Sequence, residues 1–85
     1  MKKAVALSYK KEKPEVPRVV AKGTDDVAEK ILDIARAHQV PLYEDRALLQ
    51  KVYSLKVGES IPEELYQAVA VLLAWVYSLD KKEAR

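Results

Sequence analysis

Cysteine is absent from the 85 residues, which excludes disulfides and thiolate metal sites. The single histidine, His38, has only scattered carboxylates near it in sequence, Glu44 and Asp45 first. That is too little for a metal site or a nucleophilic pair, and a helix-end histidine facing the dipole is the plainer reading. Two glycines, Gly23 and Gly58, cannot supply a glycine-rich phosphate loop. Ser8, Ser54, Ser60 and Ser78 sit in no nucleophile-elbow context. The longest apolar run, residues 66–79, is broken by Gln67 and Ser78. It falls short of the ~20 residues a membrane span needs and reads as a buried helix. The start, basic and then briefly apolar, is too short for a signal peptide. The expectation is a protein without catalytic residues, cofactor or metal.

What is present describes one folded domain over residues 1–85. Hydrophobic residues make up 49% and charged residues 33%, a balance that favours a packed domain over a disordered one. A chain this short buries a thin core. The net charge of +2 hides an asymmetry. Residues 1–22 carry Lys2, Lys3, Lys10, Lys11, Lys13, Arg18 and Lys22 against Glu12 and Glu15, a net +5, and the remainder carries −3. A basic strand region on a mildly acidic body suits an acidic partner, or a lysine-rich edge that discourages aggregation.

Residues 16–45 organise the chain. A short apolar run, a glycine turn, an amphipathic run and a second apolar run predict a β-α-β unit with two parallel strands. Before it, AVALSY at 4–9 alternates Val5, Leu7 and Tyr9 with Ala4, Ala6 and Ser8. That predicts a strand whose small face is closely covered. Residues 10–17 are a proline-punctuated connector, because Pro14 and Pro17 lack amide donors. The second strand spans 18–21, and Gly23 ends it with a turn that a side chain would resist. Thr24 caps a helix with Asp25 and Asp26 in its first turn and an apolar face of Val27, Ile31, Ile34 and His38. Val40, held extended by Pro41, leads into a short third strand at Leu42 and Tyr43. Glu44 and Asp45 cap a second helix with a Leu48, Val52, Leu55 stripe. The third helix begins near Pro62, with Ser60 and Glu63 at capping-box spacing. It is apolar nearly all round, as expected at a core or an interface. A charged tail follows from about residue 80. The fold class is therefore α/β: a small mixed sheet of about three strands with a β-α-β unit, covered by about three helices.

Four stretches carry a resemblance: AVALSY at 4–9, PRVVAKG at 17–23, HQVPLYED at 38–45, and RALLQKVYSLKVGESIPEELYQAVAVLLAWVYSL at 46–79. Together they resemble the cytoplasmic C-terminal domain of FlhB, the flagellar member of the type III export switch family that includes YscU, EscU and SpaS. Nearly the whole chain takes part, from residue 4 to residue 79. In that family a membrane domain precedes this region. An Asn-Pro-Thr-His motif just before the first strand cleaves itself between Asn and Pro. Here Lys2 and Lys3 occupy the last positions of that motif, and the sequence has no asparagine at all. The resemblance therefore implies a stand-alone domain without a transmembrane part, similar to the fragment left after cleavage. It implies a non-catalytic, cytoplasmic protein recruited to the cytoplasmic face of an export gate, with export components or substrates as partners and a part in substrate-specificity switching.

The family's upstream strand has no counterpart here, so the first strand is expected to expose an edge open to strand addition, which a proline at Ala6 would test. Lys10, Arg18, Lys22 and Gly23 are the expected partner-binding residues. The rival reading is a basic nucleic-acid-binding module. Only Tyr9 lies near the basic cluster as a stacking platform, which weakens it.

Overall fold

Alternation at the N-terminus gives the first strand, β1 (Lys3–Ser8), which pairs antiparallel with β2 (Arg18–Thr24). The computed structural model describes residues 1–8 and 16–83, with side chains up to residue 79. Tyr9, Lys10 and most of the connector expected at 10–17 lie outside the described residues, as does the end of the charged tail.

Register explains the composition of β1. Ala4 lies opposite Gly23 and Ala6 opposite Ala21. These small residues form the face over which helix α1 (Asp25–Ala37) packs, with Ala28 fully buried beneath it. The close cover expected over the alanine face is therefore present. On the opposite face Val5 and Leu7 join a core of Val19, Leu48, Val52, Leu55, Ile61 and Val69. Between Ala6 and Leu7 the register shifts, because Ala6 faces Ala21 and Leu7 faces Val19. Val20 is thus the extra residue of a β-bulge.

Helix α2 (Arg46–Tyr53) starts as the sequence predicts. The Asp45 carboxylate accepts the Leu48 N–H at 3.1 Å, and Leu48, Val52 and Leu55 are buried. A 3-10 turn at Glu63–Leu65, preceded by Pro62, leads into α3 (Tyr66–Glu83). Proline thus opens the 3-10 turn rather than the α-helix, and Ser60 bridges to Arg18. The residues 58–61 lie along the outer side of β2. Gly58 N–H donates to Val19 O at 2.7 Å, Val19 N–H to Glu59 O at 3.0 Å and Ile61 N–H to Pro17 O at 2.9 Å.

Three expectations need correction. The class is mixed α/β, but among the described residues the sheet has two antiparallel strands. Residues 40–45 form no ladder, so the parallel β-α-β pairing is not made. Val40 N–H donates to Ala35 O, which ties the segment to the end of α1, and Asp45 O accepts from Leu49 N–H at the start of α2, so neither bond joins the sheet. Gly23 does not end its strand but lies within it, and a β-carbon there would meet Val27 at 2.1 Å. Close helix approach is what requires glycine. The left-handed residue at this junction is Asp25, with φ 48°, a conformation aspartate tolerates better than most. Finally, α3 is not buried all round. Among its described side chains only Val69 is fully covered, while Val71 is 60% exposed. A body this thin meets the helix along one stripe.

Candidate interaction site

The outer edge of β1 follows from the hydrogen-bond phase of the hairpin. Asp25 N–H donates to Lys2 O at 2.8 Å, and Lys2 N–H donates to the Asp25 carboxylate at 3.2 Å. Lys2 thus faces β2. Antiparallel alternation then turns the backbone groups of Ala4 and Ala6 inward and those of Lys3, Val5 and Leu7 outward. Among the described residues no backbone group bonds to that outward side. The start of the strand is fastened by the Lys2 ammonium, which pairs with Glu29 of α1. The Lys2 hydrogen bond, followed by the charge of Lys2, holds the Glu29 carboxyl below its ordinary value.

Of the expected partner-binding residues, Arg18 is exposed and its guanidinium donates to Gly58 O at 3.2 Å. Lys22 points to the core face. Its ammonium donates to Tyr53 O at 2.9 Å and Leu55 O at 2.8 Å, at the carbonyl end of α2. It also lies 5.1 Å from the centre of the Tyr53 ring, and the Lys3 ammonium lies 4.9 Å from the same ring. Gly23 lies beneath Val27. Lys10 is outside the described residues. The structure thus places Arg18 at the start of β2 and Lys22 with Gly23 near its end, not in one cluster.

An apolar groove lies beside the start of β2. Val16, Pro17, Ile61, Tyr66, Val69, Ala70 and Leu73 line a volume of about 170 Å³. Val16 is 39% and Tyr66 46% exposed, so the groove opens to solvent. Sequence reading missed it as a site. The available signal was a helix with no charge from residue 66 to 79, together with an apolar residue before Pro17.

Known proteins agree with this architecture. Residues 1–76 match the model of the FlhB HrpN YscU SpaS family. The uncharacterized protein YlqH of Bacillus subtilis is 42% identical over 81 residues, 95% of this chain and 87% of that protein. The flagellar biosynthetic protein FlhB of Bacillus subtilis is 40% identical over 80 residues. The match takes in 93% of this chain but 22% of that protein, so the chain spans about a fifth of such relatives. Among solved structures, the cytoplasmic domain of FlhB from Shewanella putrefaciens superposes with a TM-score of 0.85 at 38% identity, covering 95% of this chain and 67% of that one. The PscU C-terminal domain superposes at 0.80 with 28% identity, over 88% and 96%. Among the described residues no helix is long and apolar enough to cross a membrane. On the family match, the YlqH and FlhB identities and the fold together, the chain belongs to the FlhB HrpN YscU SpaS family.

Proposed function

We propose that this chain is a non-catalytic protein-interaction domain of flagellar or type III protein export, and that it takes its partner as an added strand along the outer edge of β1. The supporting observation is the run of outward backbone groups at Lys3, Val5 and Leu7, unpaired among the described residues. Such an edge recognises an extended segment through main-chain bonds, while neighbouring pockets read side chains. Lys10 and Arg18 are the basic partner contacts in this reading, and Lys22 and Gly23 act by keeping β2 and its helices in place. The partner is an export-apparatus component or an export substrate, met at the cytoplasmic face of the export gate. Through that contact the domain takes part in choosing substrate classes. The proposed role calls on no self-cleavage.

The hydrogen-bond phase changes which backbone position tests the idea. Ala6 N–H faces β2, so a proline there breaks the hairpin itself. Lys3 N–H faces outward, and proline is tolerated where the lost donor faces solvent. Lys3→Pro, or an N-methylated Val5 made by semisynthesis, should keep the far-ultraviolet spectrum and lose the export components captured from cells with an intact export gate. Capture that survives both changes in a folded domain rules strand addition out. The nucleic-acid reading is disfavoured because the Lys2 and Lys22 ammonium groups are engaged within the protein. It predicts binding of mixed oligonucleotides that collapses as salt rises, measured by fluorescence anisotropy.

A further inference from the structure

The core face of β1 carries unbalanced positive charge beside its open edge. Lys3, Val5 and Leu7 share that face by alternation, and Val5 and Leu7 are half-buried against the core. The Lys3 ammonium lies 4.9 Å and the Lys22 ammonium 5.1 Å from the centre of the Tyr53 ring. Lys22 directs its hydrogen bonds to the carbonyls of Tyr53 and Leu55. The Lys3 side chain has no hydrogen bond or ion pair among the described residues, and no carboxylate there meets either ammonium. Lys2 differs, because its ammonium pairs with Glu29 on the α1 side. The three residues of this face are also the ones whose backbone groups turn outward.

We propose that the segment taken up along β1 runs antiparallel and is acidic at its C-terminal end, with apolar side chains opposite Leu7 and Val5 and then a carboxylate opposite Lys3. This selection rests on strand addition at the same edge and adds a side-chain rule to it. In an antiparallel pair, hydrogen-bonded partners lie directly opposite, with Cα atoms about 5.5 Å apart and both side chains on one face. Outward groups at alternate residues of β1 therefore fix which side chains meet. Valine or leucine opposite Leu7 and Val5 extends the covered apolar face. Glutamate opposite Lys3 reaches a place where two ammonium groups share one ring. The intervening residues stand on the α1 side and are not selected by this face. The strand β1, KAVALS, has no acidic residue of its own, so a second copy pairing β1 to β1 offers no carboxylate in any register.

Fluorescence anisotropy on the full chain tests it, with labelled peptides built on the core Val-Thr-Val-Thr-Glu and on the same core ending in Gln or Lys. The glutamate peptide should bind about threefold tighter than the glutamine one and about tenfold tighter than the lysine one, differences that shrink as salt rises. Lys3→Glu changes an exposed side chain, should stay folded by circular dichroism, and should reverse the order in favour of lysine. Equal binding of the three peptides overturns the selection, as does an order that Lys3→Glu leaves unchanged. So does a reversed core, Glu-Thr-Val-Thr-Val, that binds as tightly, or the failure of every peptide to bind. N-methylated Val5 keeps the Lys3 ammonium and removes an outward donor, so it separates this rule from strand addition itself. Three peptides that do not differ, all lost on N-methylation, mean an edge that is used without selecting charge. Binding that survives N-methylation overturns both.

Discussion

Replacing Gly23 by alanine tests the packing of α1 on the hairpin. The added β-carbon would lie 2.1 Å from Val27 Cγ1 and 2.6 Å from Val27 Cβ. Carbon atoms pack at roughly 3.5–4.0 Å, so both contacts are forbidden. Rotating Val27 about χ1 removes the first. It cannot remove the second, because Cβ is fixed to the helix backbone, so α1 must move off β2 by roughly 1 Å. Overpacking of this kind costs about 1–3 kcal/mol. Alanine returns about 0.4–1 kcal/mol by restricting the unfolded chain. The expected net loss is about 1–2 kcal/mol, or about 5–15 °C in Tm for a domain of this size.

Thermal and urea unfolding followed by circular dichroism would measure it, with the urea slope unchanged. Adding Val27→Ala removes Cγ1 but leaves Cβ, so it should recover only part of the loss. Gly58 is the control. Its φ is 93° and nothing lies within 4 Å of an added β-carbon, so Gly58→Ala should cost about 1 kcal/mol through backbone strain alone. Val27→Ala should not rescue it. A Gly23→Ala protein as stable as the parent would refute the close-approach explanation.

Lys22→Met should destabilise by about 1–2 kcal/mol in urea, since two carbonyls at the end of α2 lose a charged donor, and Lys22→Arg should recover little of it. Asp45→Ala removes the α2 cap and should cost about 1 kcal/mol in the same assay. The Glu29 carboxyl should titrate below its ordinary value in an NMR pH series and return toward it in Lys2→Met. Its folded value is depressed, so its contribution is present above the unfolded value and lost as pH falls through the folded one. That loss should shrink in high salt because the pair is exposed.

The elements set by local chemistry were legible in the sequence. Asp45 caps α2, Leu48 and Val52 form its buried stripe with Leu55 continuing it past the helix end, and Ala4 lies under a helix. The elements that failed depend on distant partners. Leu42 and Tyr43 have strand-like composition, yet strand formation needs a neighbour with free backbone groups. Here Tyr43 instead packs on Trp75 with ring centres 5.3 Å apart. Lys22 read as a surface cation because no sequence rule links it to carbonyls 31 and 33 residues away. The 58–61 loop along β2 was hidden for the same reason.

This dependence on partners bears on the strand-addition proposal. A two-stranded hairpin is marginal by itself and needs a further strand or a packed helix. Here α1 covers one face and the Val19 core the other, while among the described residues nothing pairs with the outer edge of β1. Val5 and Leu7 reach that core from the same strand whose outer groups are open. Binding at the edge and ordering of β1 are then linked, and a partner at a hundredfold excess over its Kd should stabilise the fold by about 2.7 kcal/mol. If strand addition occurs, this stabilisation, read as a gain in Tm, should vanish in Lys3→Pro, whose outward N–H is lost while the pairing of β1 with β2 is kept.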